Sequence, residues 1–308
     1  MNAKQPILVA ESLERGQIRF CPGRHPDALS YYAFLPDDIH PLATPLVLVH
    51  GISRNALEQL GAFVPLAATV GRPLLAPVFD RKAFPRYQRL AHRGVRADRA
   101  FQAMLAEAGD RFEITTGRVD LFGFSAGAQY VHRFALLAPD SVRRLAVSSA
   151  GWYTFPDPER RFPVGTRSIR SKDRGPLPMP EFDPRGFAGL PMLVLVGERD
   201  VQVDENVRST PGTVRRQGIT RRDRARRFAE AWRSFAAAEE IECDIRHHLL
   251  PRCGHSFSKC VRRGALAHEV MDFLEGRSRR DRSDRTREIL PIRGEEKAGL
   301  ESPACRLA

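Results

Sequence analysis

The chain alternates between short, unbroken apolar runs and longer stretches where apolar residues recur every third or fourth position. Residues 45–49 read PLVLV, and similar runs recur at 73–79, at 119–122 with Asp120 as its one charge, at 145–149 and at 192–196. A continuous apolar run bounded by turn residues suits a strand covered on both faces, as in a parallel sheet. Residues 243–250 form a more polar version, as a strand near a sheet edge would, and 17–20 and 30–35 are short β-like runs ahead of the first buried one. Between the strands, 96–108 places Ala100, Met104 and Ala108 four residues apart, and 126–138 is rich in Ala and Leu. The stretch 220–238 opens with Thr220-x-x-Asp223, close to a capping box, and carries Phe228, Trp232 and Phe235 at helical spacing. Residues 257–275 predict one final helix, stopped by Gly276. Strands alternating with helices predict an α/β, doubly wound fold with a mostly parallel sheet.

Two segments fit neither period. Residues 154–190 are dense in Pro, Gly and charge and read as a lid-like excursion, because structureless insertions this long are usually functional. Residues 277–308 carry nine basic and six acidic side chains with few apolar ones, and read as a disordered tail behind a domain spanning 1–276. No internal repeat is evident. No apolar run approaches the roughly 18 to 20 residues of a membrane span. The N-terminal MNAKQPILVAESLERG lacks a long apolar signal segment. Five cysteines (Cys21, Cys243, Cys253, Cys260, Cys305) without paired spacing fit thiols in a reducing compartment, so a cytoplasmic location is expected.

The net charge of +12 invites a nucleic-acid reading, which the detail weakens. Of 49 basic residues only five are lysine, an imbalance that reads as codon bias rather than a polyanion footprint. The densest run, 214–227, holds seven arginines and one aspartate with no interleaved aromatic to stack a base. It reads as a solvated helix start, with Arg221 and Arg224 as the side chains that could instead meet an anionic substrate. Nucleic acid is not expected as a partner.

The sharpest chemical signal is Gly123-Phe124-Ser125-Ala126-Gly127, placed directly between an apolar run and an Ala-rich helix. A serine at a tight strand-to-helix turn is thrust above the sheet, its flanking glycines avoid clashes, and the Ala126 N–H points at a nascent oxyanion. Upstream, PLVLV runs into His50-Gly51-Ile52-Ser53, a turn suited to deliver a second oxyanion donor from Ile52, with Ser53 as the alternative. The His50 ring itself reads as structural. Downstream, MLVLV runs into Gly197-Glu198-Arg199-Asp200, which puts a carboxylate where parallel sheets bind ligands. Asp200 is the orienting acid, with Asp204 and Glu198 as fallbacks. Gly254-His255-Ser256 lies on a loop before the last helix, where a general base can reach both serine and acid. His247 and His248 compete but lie within a strand pattern, and a metal site from His247, Cys253 and His255 matches no zinc spacing. Trp152 and Tyr153 follow the strand after the serine and either wall the substrate pocket, together with Ser53, or pack beneath the lid.

The four pieces HGIS, GFSAG, GERD and GHS, in that order, resemble the α/β-hydrolase superfamily. The successive spacings fit it: 75 residues from His50 to Ser125, 75 from Ser125 to Asp200 and 55 from Asp200 to His255. The resemblance covers about residues 30–275 and implies an eight-stranded, mostly parallel sheet flanked by helices, with a nucleophile elbow at Ser125 and a small lid. More loosely, APVFDRKAFPRYQ, SAGWYTFPD and RRQGITRRDRARR are similar to bacterial esterase-like hydrolases related to polyhydroxybutyrate depolymerases.

The expected activity is that of a carboxylesterase-type serine hydrolase acting on a small-molecule ester, with Ser125 as nucleophile, His255 as base and Asp200 as its partner. That chemistry requires neither cofactor nor metal. The alternatives are the same residues acting on a thioester, amide, carbon–carbon bond or polyester oligomer, and a non-catalytic binding module. The oligomeric state is open.

Overall fold

The computed structural model describes residues 15–24, 28–168, 181–205, 207 and 209–277. In it the apolar runs become one eight-stranded sheet: β1 (Ile18–Cys21), β2 (Tyr31–Phe34), β3 (Leu46–Val49), β4 (Leu74–Pro77), β5 (Val119–Phe124), β6 (Val142–Ser148), β7 (Met192–Gly197) and β8 (Ile245–Leu250). Their spatial order is β1-β2-β4-β3-β5-β6-β7-β8. β2 runs antiparallel to both neighbours, and every pairing from β4 to β8 is parallel. A separate two-stranded ribbon, Ala91–His92 with Val95–Arg96, stands outside the sheet.

The unbroken apolar runs follow from two-sided burial. Side chains alternate across a strand, so in β3 Leu46 and Leu48 face one core while Val47 and Val49 face the other. The first core is closed by α1 (Ala56–Thr69), α7 (Phe257–Gly264) and α8 (Leu266–Leu274), which contribute Leu60, Phe63, Phe257 and Val270. The second is closed by α2 (Ala97–Phe112), α3 (Ala126–Leu137) and α6 (Arg221–Ala238), which bring Phe101, Tyr130, Phe134, Phe228 and Trp232. Burying each such ring or branched chain stabilises by about 1.5–3 kcal/mol, and both faces of the central strands collect it. At the edge, β8 keeps only Ile245 and Leu250 buried, which accounts for its more polar sequence.

The capping box at Thr220 and Asp223 is present. Two further short helices, α4 (Pro184–Ala188) and α5 (Pro211–Gln217), complete the set among the described residues. The single helix predicted over 257–275 is instead two. Ala265 adopts a left-handed φ of 52° and breaks it. The break lets Gly264 lie against the Cys253 loop, where an added Cβ would be 2.8 Å from Cys253 Sγ. The tail beyond Arg277 and residues 169–180 of the lid-like segment lie outside the described residues. The described parts of that segment are 154–168 and 181–190, the latter holding α4; the first is tied to α3 and α6 at Thr154, whose N–H donates to His132 Nε2 and whose carbonyl accepts from Trp232 Nε1. Among the described residues no helix is long and apolar enough to cross a membrane.

Candidate active site

β5 ends at Phe124 and α3 begins at Ala126, which leaves Ser125 as the joint with φ 56° and ψ −113°. A non-glycine residue there carries about 1–3 kcal/mol of strain, so the surroundings must hold it. The Ser125 N–H donates to the Ser148 carbonyl at 2.8 Å. The flanking glycines let three backbones touch. A Cβ on Gly123 would lie 2.4 Å from the Gly127 carbonyl group, and one on Gly127 only 1.9 Å from the Val49 carbonyl oxygen. The first-turn N–H groups of α3, Ala126 among them, have no intrahelical acceptor and face the end of the sheet where Ser125 stands.

His255 reaches this serine from the loop between β8 and α7. Its Nε2 is 3.1 Å from Ser125 Oγ, and its Nδ1 is 2.9 Å from Asp200 Oδ2. Asp200 is fully buried. A carboxylate only accepts, so Nδ1 is the nitrogen that donates to Asp200, and Nε2 is the one that faces the serine hydroxyl. The Phe124 ring stacks on the imidazole at a centroid distance of 5.4 Å and Phe257 packs edge-on against Phe124. The fallback acids do other work. Glu198 Oε2 accepts from the Arg252 N–H and steadies the histidine loop, and Asp204 pairs with Arg221. Neither competing histidine meets the serine: His248 bonds to Glu269, and His247 sits half-buried on β8. No group of three ligating side chains is assembled among the described residues.

The HGIS turn abuts the elbow, since a Cβ on Gly51 would contact Ser125 Cβ at 3.5 Å. Tyr87 Oη donates to the His50 carbonyl, while the His50 ring faces away, with Nδ1 2.9 Å from the Gly51 carbonyl and Nε2 accepting from the Phe79 N–H. Burial pushes this imidazole down to about 4, against an ordinary value of 6.5. Unfolded His50 therefore takes up a proton near pH 6.5 and the folded one only near pH 4. Between those values the unfolded state binds more protons, so stability falls as the pH drops, by about 3 kcal/mol for a shift of this size. His132, buried beside Arg133 and held well below its usual value, adds a contribution of the same sign. The Tm should fall steeply from pH 6.5 to 4, and His50→Gln, destabilised at neutral pH, should show a flatter slope. An equal slope in that variant would show that His50 is not among the groups responsible.

A cavity of about 330 Å³ opens beside Ser125, lined by Gly51, Ile52, Ser53, Asn55, Glu58, Phe124, His255, Ser256, Phe257 and Ser258. Ile52 and Ser53 are thus brought to the serine. Trp152 and Tyr153 are not, and no described residue of 154–190 lines this cavity. Tyr153 is wholly buried, stacked on Phe228 at 4.3 Å, with its backbone clamped by the Gln217 amide on both N–H and carbonyl. Trp152 lies on the Arg133 guanidinium at 4.2 Å. The arginine run is also not uniformly solvated. Arg221 and Arg224 are buried, Arg224 against the Gly151 and Gly218 carbonyls, because α6 turns that face to the sheet.

Two solved structures resemble this one with TM-scores of 0.64 and 25% identity. A poly(aspartic acid) hydrolase from Sphingomonas sp. KT-1 covers 79% of this chain and 95% of its own, and a poly(3-hydroxybutyrate) depolymerase from Bordetella parapertussis covers 83% and 87%. An S-formylglutathione hydrolase from Agrobacterium tumefaciens matches with a TM-score of 0.53 at 12% identity, over 83% of this chain and 92% of its own. The chain has the α/β-hydrolase fold. No family model and no curated protein matches it. In an α/β-hydrolase the sheet's C-terminal edge carries the site, which is where the loops after β3, β5, β7 and β8 converge here. The sequence reading missed Phe124, Glu198 and Tyr87 as supports. Phe124 lies inside the Gly-x-Ser-x-Gly piece, Glu198 inside GERD, where it read as a fallback acid, and Tyr87 inside the APVFDRKAFPRYQ stretch, but none of these marks a supporting role.

Proposed function

We propose that the protein is a serine hydrolase that cleaves a carboxylic ester through an acyl-enzyme. The observation that carries this reading is the unbroken chain Ser125 Oγ–His255–Asp200, at 3.1 and 2.9 Å, beneath an open cavity. His255 Nε2 takes the hydroxyl proton as Ser125 attacks the carbonyl, and Asp200 stabilises the imidazolium that forms. The Ala126 and Ile52 N–H groups receive the developing oxyanion, a contribution of several kcal/mol to the barrier. His255 then returns the proton to the leaving alcohol, and water, activated by the same imidazole, releases the acid.

A polyester oligomer is the second reading, favoured by apolar side chains exposed around the site. Ile52, Leu57, Val201 and Val203 are 40–52% exposed on the loops after β3 and β7 and the start of α1. The cavity lining contains Glu58 and no lysine or arginine, which supports a neutral chain, such as the ester polymer named for one neighbour, over the polyanion named for the other.

A p-nitrophenyl ester series from acetate to palmitate, run beside fluorophosphonate labelling, tests the proposal. Turnover with labelling is the expected result, and the chain-length optimum sizes the pocket. Labelling without ester turnover moves the scissile bond to a thioester or amide. Absence of both would sink the proposal. Hydrolysis of soluble 3-hydroxybutyrate oligomers but not of poly(aspartate) is the outcome expected of the second reading.

A further inference from the structure

Arg221 opens α6 within the most basic stretch of the sequence, yet its side chain is 1% exposed and lies between two carboxylates. Nη2 donates to both oxygens of Asp204, at 2.8 and 2.9 Å, and Nη1 lies 3.5 Å from Asp200 Oδ1. The other Asp200 oxygen accepts from His255 Nδ1. One row of groups therefore runs Asp204, Arg221, Asp200, His255, Ser125, with alternating charge over its first three members. Packing alone does not call for this. A buried guanidinium carries a desolvation cost that an apolar side chain of similar volume avoids. The Arg222 N–H, one residue on, donates to the Asp200 carbonyl at 3.3 Å, so the start of α6 holds both the backbone and the side chain of the acid.

We infer that Arg221 is a positioning residue whose charge, moderated by Asp204, sets the basicity of His255. The inference rests on the serine-hydrolase reading above. The physical basis is Coulombic. Asp200 favours the imidazolium, Arg221 one position further opposes it, and Asp204 offsets Arg221 from the solvent side. Arg221 and Asp200 are buried, so their charges are weakly screened and are felt at the imidazole, whereas Asp204, on the solvent side, acts mainly through Arg221.

On α1, Glu58 lines the cavity that holds His255, but it is exposed, accepts from the Asn55 amide and stands outside the row, and the remaining groups around the row do not supply this control either. On α6, Arg222 is exposed with its guanidinium on the Glu198 carbonyl, and Arg224 is turned to the Gly151 and Gly218 carbonyls. Burial brings Arg224 down to about 10, still protonated at neutral pH. From the loop after β6, burial raises the Tyr153 phenol, which stays neutral. From α7, burial and the neighbouring Cys253 raise the Cys260 thiol to about 12. On the β7 loop Glu198 is engaged by the histidine loop, and Arg199 is exposed.

The test is the acidic limb of the kcat/KM–pH profile, which reports loss of the base as His255 gains a proton. Arg221→Gln leaves the carboxylates unopposed and should move the limb to higher pH. Asp204→Asn removes the carboxylate that offsets Arg221 from the solvent side and should move it to lower pH. Each shift is on the order of half a pH unit. Arg221→Lys keeps the charge and should leave the limb near its wild-type position even as kcat falls. A purely structural role would lower kcat in all three variants and move the limb in none. Limbs that stay put, or that move the same way in Arg221→Gln and Asp204→Asn, would overturn the inference. Asp204 is 42% exposed and its variant should fold, so if Arg221→Gln does not fold, the sign of the Asp204→Asn shift decides alone. Failure of the underlying reading looks different: the wild-type protein would show neither ester turnover nor fluorophosphonate labelling.

Discussion

Ser125→Ala should lower kcat on a p-nitrophenyl ester by about 10⁴-fold or more, with Tm and far-UV spectrum close to wild type. The size follows from what the hydroxyl does. It is the atom 3.1 Å from His255 Nε2, and no other described hydroxyl is hydrogen-bonded to that nitrogen. The small structural effect also has a cause. Ser125 holds the elbow through its backbone N–H to Ser148, and the strain at φ 56° is carried by the backbone in either residue. Alanine keeps both. Residual catalysis would come from the N–H donors and from binding, as expected when only the nucleophile is lost. Steady-state kinetics beside a thermal melt separate the outcomes. A variant retaining near-wild-type turnover would remove Ser125 from the chemistry, whereas a collapsed melt would leave the kinetic loss uninterpretable and direct the test to Ser125→Cys.

The elements that position this serine were legible because their signals are local. A fully apolar strand is written as an unbroken run, and the elbow is written as two glycines around a serine where a strand meets a helix. Asp200 and His255 were legible because they follow strand-like runs on the same edge of the sheet, and the structure brings His255 to Ser125 and Asp200 to His255. Features that depend on what packs against a segment were not. Arg221 and Arg224 read as solvated because charge runs usually are, and only the docking of α6 on the sheet buries them. The break at Ala265 has no sequence mark, since alanine favours a helix, and the left-handed turn goes with a tertiary contact, the close approach of Gly264 to Cys253. Helix α1 went unread for the opposite reason: it carries Pro65 in its middle, a residue that argues against the helix it occupies.

Gly127→Ala is the substitution in which propensity and packing disagree most. Gly127 is the second residue of α3, where alanine would normally stabilise a helix by about 0.5–1 kcal/mol. Here the new Cβ would fall 1.9 Å from the Val49 carbonyl oxygen and 2.7 Å from that of His50. Both atoms are backbone at the end of a central strand, so neither can swing aside as a side chain could. Relief requires α3 to withdraw from β3, which parts the helix N-terminus from the His50-Gly51 turn and with it the two proposed oxyanion donors. The expected result is a loss of about 3 kcal/mol or more, read from the denaturant midpoint. Turnover should fall at least 100-fold in whatever fraction stays folded, the magnitude typical of a displaced oxyanion donor. Gly51→Ala is the control on the other side of the same junction. Its Cβ meets only ordinary contacts of 3.5 Å, at the Phe124 carbonyl oxygen and Ser125 Cβ, so its stability should stay within about 1 kcal/mol of wild type. Equal stability in the two variants would mean that the close approach of α3 to β3 does not hold the elbow in place, and the strain at Ser125 would need another support.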